Sequence, residues 1–157
     1  MKRILVATDG SPSATEAARF GIELAKEHDS ELVFAHVVRA LDVVPSTVFQ
    51  IGGVFEHEPG EHDVELLDDA ATLATDQGVV STTALLRGET VDELVAYAAA
   101  REVDLIVVGT RGHGAVTGAL LGSVSQGLLR EARCPVAVVR AAADAREPAA
   151  VEPAAAP

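Results

Sequence analysis

Between 107 and 126 the chain reads Val-Val-Gly-Thr-Arg-Gly-His-Gly-Ala-Val-Thr-Gly-Ala-Leu-Leu-Gly-Ser-Val-Ser-Gln. An apolar run leads into Gly109, Gly112, Gly114, Gly118 and Gly122, and Ser123-Val-Ser-Gln126 has the capping-box pattern of a helix start. Glycine lets backbone amides turn towards a ligand and removes the side chains that would obstruct it. A helix start adds unpaired N–H donors and the positive end of the helix dipole, and small hydroxyls such as Ser123 and Ser125 can donate to an anion there. Together these residues offer a cradle for phosphate.

The local charge agrees. From 105 to 135 the chain carries Arg111, Arg130 and Arg133 against a single acid, Glu131, whereas the whole protein has 24 acids against 12 lysines and arginines. An anion site in a polyanionic protein requires such relief from negative charge. Arg130 and Arg133 are accounted for as complements to a helix C-terminus, which leaves Arg111 as the cation for a ligand. Asp9-Gly10 ends the first apolar run; the acid is either a turn former or a ligand contact at a strand end, and the strand-end position favours the contact.

Several chemistries are excluded or weakened. The glycine stretch has no Gly-Lys-Ser/Thr, so it is not a Walker A loop. Gly112-His-Gly114 resembles part of a dinucleotide fingerprint but follows the fourth strand rather than the first, and no helix begins directly after it. His113, the one neutral base in the loop, reads as a surface residue. Nothing assembles a base, a positioned water and a clamp, so no catalytic residue is expected. His57 and His62 lie among Glu56, Glu58, Glu61 and Asp63, yet their spacing fits no zinc signature and acid-rich loops are commonly only solvated; no metal site is expected.

At 157 residues the chain suffices for one domain that buries roughly 70% of its unfolded surface without disulfide or metal. Its single cysteine, Cys134, sits before Pro135 in apolar surroundings and reads as a buried, inert thiol. The net charge of −12 argues against nucleic acid and anionic membrane as partners. No apolar stretch is long enough to cross a bilayer, and the start Met-Lys-Arg-Ile-Leu-Val-Ala-Thr-Asp lacks signal-peptide character, so a cytoplasmic location is expected. Lys2 and Lys26 are the only lysines. An acid-rich, lysine-poor surface suits concentrated salt, where the screening length falls to about 3 Å near 1 M, and suggests a halophilic origin.

The elements that must position the cradle alternate. Residues 2–8 form an apolar run typical of a strand buried on both faces. A helix follows, with Ser13 as its cap, Glu16 closing a capping box, and Ala17, Phe20, Leu24 and Gly21 inward, until Asp29-Ser30 ends it. Residues 31–38 are a second strand. Residues 39–60 lose all period despite Val48, Phe49, Ile51 and Phe55, and read as a long lid, partner surface or mobile insertion. Val64, Leu67, Ala71 and Ala74 mark a second helix stopped by Gln77-Gly78. A third strand covers 79–86. Thr90-Val-Asp-Glu93 is a capping box opening a helix with Val91, Leu94, Val95 and Ala98 inward, 104–109 is a fourth strand, a last helix covers 123–132, and Pro135-Val-Ala-Val-Val139 is a fifth strand. From 141 to 157 the chain is Ala, Pro and acid without period, a disordered tail beyond a domain of 1–140. Such alternation selects an α/β three-layer sandwich with a parallel sheet and right-handed crossovers.

Gly109-x2-Gly112-x9-Gly122-Ser123 resembles the ATP-binding motif of the universal stress protein family. The resemblance extends over residues 1–140 through Ala-Thr-Asp-Gly-Ser at the end of strand one, Val-Asp-Leu-Ile-Val-Val-Gly at strand four and Cys-Pro-Val-Ala-Val-Val at the close. It implies an adenine nucleotide alpha hydrolase-like fold with a five-stranded parallel sheet of order 3-2-1-4-5. It implies adenosine against Ala7, Asp9, Val37 and Val108, and phosphates on the amides of Gly112, Gly122 and Val124 with hydroxyls from Ser123 and Ser125; Thr8, Gly109 and Arg111 complete the expected nucleotide-binding set. ATP with Mg²⁺ as its counter-ion would be the cofactor. The resemblance further implies a homodimer paired through the strand Pro135-Val-Ala-Val-Val139, whose apolar edge would otherwise pair without control. The function expected is a stress-response or regulatory switch. Two alternatives stand beside it: a slow ATPase or nucleotidyl-transfer enzyme on the same frame, and a dimeric interaction module without nucleotide.

Overall fold

The computed structural model describes residues 1–39, 41–44, 53–56, 58–112 and 121–141. Its elements run β1 (Arg3–Ala7), α1 (Pro12–His28), β2 (Glu31–Val38), β3 (Leu41–Val44), β4 (Gly53–Glu56), α2 (Glu61–Asp76), β5 (Ser81–Arg87), α3 (Thr90–Ala100), β6 (Leu105–Gly109), α4 (Ser123–Glu131) and β7 (Val136–Val139). The main sheet has five strands in the order β5-β2-β1-β6-β7, all paired in parallel. Counted among themselves these strands are ordered 3-2-1-4-5, as the sequence resemblance implies.

Alternation along each strand builds three layers, because successive side chains point to opposite faces of a sheet. Ile4, Val6, Leu32, Phe34 and Val107 pack with Ala17, Ile22 and Ala25 of α1 and Leu67, Ala70 and Ala74 of α2. Leu5, Ala7, Val33, Ala35, Ile106 and Val108 pack on the other side with Leu94 and Ala98 of α3 and Leu128 of α4. The continuous apolar runs of β1 and β6 are thus explained: each residue has a helix layer to enter.

The structure corrects several element details. Ser11, not Ser13, caps α1, its hydroxyl accepting from the Ala14 amide. Pro12 takes the first turn, where its missing N–H costs nothing, so the cap falls one residue before it. The inner face of α1 is Ala14, Ala17, Ala18, Gly21, Ile22 and Ala25, while Phe20 is exposed and Leu24 only half-buried; small residues are needed where the helix lies on β1. In α2 the inward residues are Leu67, Ala70 and Ala74, and Val64 faces solvent. Glu89 rather than Thr90 precedes α3, with no side-chain cap bond. The third strand of the sheet starts at Ser81, leaving Val80 89% exposed. Within the 39–60 segment, β3 and β4 form an antiparallel pair; the sequence expectation of a periodless loop missed it because four-residue strands give too little alternation to register. The expectations for Val48, Phe49, Ile51, His57, His113 and the tail from 142 fall outside the described residues. Cys134 is half-buried, and burial pushes its thiol upward, with the Asp104 charge acting in the same direction; it is poorly ionised at neutral pH.

Candidate functional site

The chain runs outward from β1 through β2 to β5, then returns across the sheet to β6 and β7. The reversal lies between β1 and β6, and in such sheets a crevice opens beyond the strand carboxyl ends at that point. Here it is a cleft of about 770 Å³ lined by each residue that the family resemblance assigns to the nucleotide. Ala7, Val37 and Val108 form an apolar wall on the side of α3 and α4. Thr8 and Asp9 stand at the end of β1, Gly109, Arg111 and Gly112 follow β6, and Gly122, Ser123, Val124 and Ser125 open α4.

The Asp9 carboxylate lies against both flanking turns. Oδ1 accepts from the Ser11 amide at 3.0 Å, and a Cβ on Gly112 would lie 2.3 Å from Oδ2. The glycine therefore lets the turn after β6 close onto the acid that ends β1. Gly122 is similarly tight, since a Cβ there would meet the Thr110 carbonyl at 3.3 Å and Arg111 Cα at 3.4 Å. Backbone packs on backbone.

The two ends of the loop are also bonded together. The Gly122 amide donates to the Thr110 carbonyl at 2.7 Å, and the Ser125 hydroxyl lies 3.2 Å from the same oxygen and 2.9 Å from the Gly122 carbonyl. Ser125 is 1% exposed, so its hydroxyl braces the turn, while Ser123 stands exposed at the start of α4. The expected capping box at Ser123 is not formed. Gly122 is the N-cap, with no side-chain bond, and Gln126 turns its Nε2 to the Leu121 carbonyl at 2.8 Å. The first amides of α4 are thereby left without a side-chain acceptor, as an anion cradle requires.

Sequence reasoning missed several cleft residues. Arg39 lies at the end of β2, Glu89 and Thr90 at the start of α3, and Thr110 in the floor. The Thr110 hydroxyl is buried, with no hydrogen-bond partner among the described residues. Arg39 carried no local signal; only the parallel pairing of β2 with β1 brings it to the same end of the sheet as Asp9. The charged lining is balanced, Arg39 and Arg111 against Asp9 and Glu89. His36 was also missed. Its Nδ1 meets the Thr8 carbonyl at 2.8 Å and its Nε2 the Asp63 carboxylate at 3.0 Å, tying the residue before Asp9 to the start of α2. His62 lines a second cleft of about 470 Å³ between α1 and α2, with Glu65 and Asp69; among the described residues no group of three or more His, Cys, Asp or Glu is placed to hold a metal ion.

An apolar slot beside an acid, closed by a glycine turn and the bare amides of a helix start, on a doubly wound parallel sheet, defines a small α/β domain with its ligand cleft at the switch point. Comparison with known proteins makes this specific. The universal stress protein family matches residues 1–140, and the chain belongs to it. The universal stress protein MJ0531 of Methanocaldococcus jannaschii is 37% identical over 145 residues, which cover 88% of this chain and 82% of that protein. A solved universal stress family protein from Burkholderia pseudomallei is 32% identical at a TM-score of 0.64, covering 88% of this chain and 95% of that one. A universal stress protein solved in complex with cAMP is 26% identical, also at a TM-score of 0.64, over 88% of this chain and 95% of that one.

Proposed function

We propose that this protein binds an adenine nucleotide in the switch-point cleft and works as a stress-response or regulatory switch, with ATP as the ligand of first choice. The observation that carries the reading is the convergence of Asp9, the Ala7, Val37 and Val108 wall and the bare α4 amides on one cleft of about 770 Å³, within the range of small-molecule sites. The likeness to a family member solved with cAMP supports an adenine ligand. Adenine lies against the apolar wall, the ribose meets Asp9, and the phosphates take the amides of Gly112 and Val124 and the Ser123 hydroxyl, while Gly122, its own amide held by the Thr110 carbonyl, keeps their approach clear of a side chain. Arg111 contributes positive charge, and Ser125 and Gly109 shape the turn. Mg²⁺ enters with ATP, held through phosphate oxygens, which is how this ion is usually carried.

The same reading makes the protein a cytoplasmic homodimer joined at β7, the outer strand of the sheet, and adapted to high salt. The test is direct. Protein purified natively is heat-extracted, the supernatant is run on ion exchange, and the emptied protein is titrated calorimetrically with ATP, AMP and cAMP. Co-purified or titratable adenine nucleotide supports the proposal. Absence of both would favour an interaction module without nucleotide, and turnover of ATP at a steady rate would favour the enzyme.

A further inference from the structure

We infer that Ser11 and Ser13 are positioning residues that set the distance between the nucleoside half and the phosphate half of the cleft, and so control how much the phosphate contributes to affinity. The inference rests on the proposed nucleotide reading of that cleft and goes beyond it, because neither side chain is among the groups that would touch the ligand.

β6 leaves the sheet just beyond Gly109. The Thr110 amide makes a last ladder bond to the Val139 carbonyl at 2.8 Å; one residue later, Arg111 has no strand beside it. Its peptide groups are nevertheless paired. The Ser13 hydroxyl accepts from the Arg111 amide at 3.3 Å and is bonded to the Arg111 carbonyl, and the Ser11 hydroxyl reaches the same carbonyl at 3.1 Å. Ser11 and Ser13 are each 3% exposed, so these bonds are partly shielded from water, a setting in which an unpaired peptide group is costly. The first turn of α1 comes this close only because residue 109 is glycine: a Cβ there would lie 2.5 Å from Ser13 Oγ and 2.7 Å from the Ser13 carbonyl carbon.

Ser11 does a second thing with its backbone. Its amide holds Asp9 Oδ1 at 3.0 Å while its hydroxyl holds Arg111. A single residue thus spans the gap between the acid that ends β1 and the turn that follows β6. These are the proposed ribose and phosphate contacts, and the peptide after Arg111 supplies the Gly112 amide. If the Arg111 peptide rotates, that amide turns with it, while Asp9 and the apolar wall stay in place. A ligand's phosphate should therefore feel the loss of either serine more than its nucleoside does.

The experiment measures Kd for AMP and for adenosine on the intact protein, with Tm as a fold control. Ser13→Ala preserves the tight space beside Gly109 but removes both bonds to Arg111. The expected result is AMP binding weakened about tenfold or more, equivalent to one good hydrogen bond to a charged group, with adenosine binding changed less than about twofold. Should Ser13→Ala fail to fold, Ser11→Gly serves instead, because glycine is a tolerated N-cap yet has no hydroxyl for Arg111; Ser11→Thr, which keeps the hydroxyl, should restore wild-type AMP affinity. Equal losses for AMP and adenosine would mean a purely structural role and overturn the inference, as would unchanged AMP affinity in both variants. Wild-type protein that binds neither compound would instead remove the nucleotide reading beneath it.

Discussion

Gly109 and Gly112 are both too crowded to carry a side chain, but what crowds them differs, and so should the consequences. A Cβ on Gly109 meets the main chain of α1, with Ala14 N at 2.9 Å. Backbone cannot step aside cheaply, so Gly109→Ala is expected to cost about 1–3 kcal/mol of stability, read as a lowered denaturant midpoint. On Gly112 the obstacle is Asp9 Oδ2, the end of a side chain that can swing. Gly112→Ala should therefore keep its Tm near wild type while losing adenosine as well as AMP affinity, because the carboxylate leaves its place. Loss of stability without loss of adenosine binding would contradict this assignment. Asp104 offers a pH test away from the site. The amides of Lys2 and Arg3 donate to its carboxylate and hold it below the usual range. A depressed folded-state value gives stability that is present above the unfolded value, about pH 4, and is lost as pH falls through the lower folded one. Asp104→Asn should accordingly flatten the acid limb of a stability profile below about pH 4 and leave its shape above pH 5 unchanged.

At the level of elements, the ends of helices tell more than their middles. Asp29 and Glu102 both adopt left-handed backbone after a helix, at φ 50° and 52°. Aspartate visits that region with some ease, whereas glutamate does not. Replacing the exposed Glu102 with glycine is expected to stabilise the protein by about 0.5–1 kcal/mol, seen as a raised Tm; a drop would mean that its side chain has a partner worth more than the strain. Asp63 works at the opposite end of a helix. One carboxylate oxygen caps α2 at the Gly60 amide, 2.8 Å away, and the other meets His36. Asp63→Ala should cost about 1–2 kcal/mol, more than loss of an exposed cap alone, because His36 then loses a half-buried partner.

The five-stranded sheet that spans the molecule has two edge strands, and β7 is one of them. Carbonyls of Pro135 and Val139 accept from β6; by the alternation of a parallel ladder, the peptide groups of Val138 face outward. Proline there removes an edge donor without touching the bonds to β6. Val138→Pro is thus expected to convert the proposed dimer to monomer in light scattering while circular dichroism is preserved, and a persistent dimer would remove β7 as the interface. Because Val138 also packs against the α3–α4 layer, a charged side chain would confuse dimerisation with core damage, which makes proline the better probe. The charge of −12 acts on the same scale. Molar KCl should raise Tm by screening self-repulsion; equal melting in dilute buffer would end the halophilic reading.

The sequence by itself determined the layers and the location of the glycine turn, because hydrophobic period, capping residues and chain order are local properties. Residues 31–38 were readable as a strand from eight letters, and the Gly109, Gly112, Gly122 and Ser123 spacing carried the family resemblance unaided. Tertiary structure alone decided which side chains do what at the cleft. Ser13 looked like a helix cap and is instead the partner of Arg111; Ser123 looked like a cap and stands beyond one, at a helix start opened by Gly122. Arg39, Thr110 and His36 had no pattern to betray them. The physical reason is separation along the chain. A bond such as that from Ser11 to Arg111 joins residues 100 positions apart, and nothing near either serine records that parallel pairing of β1 with β6 will bring them together.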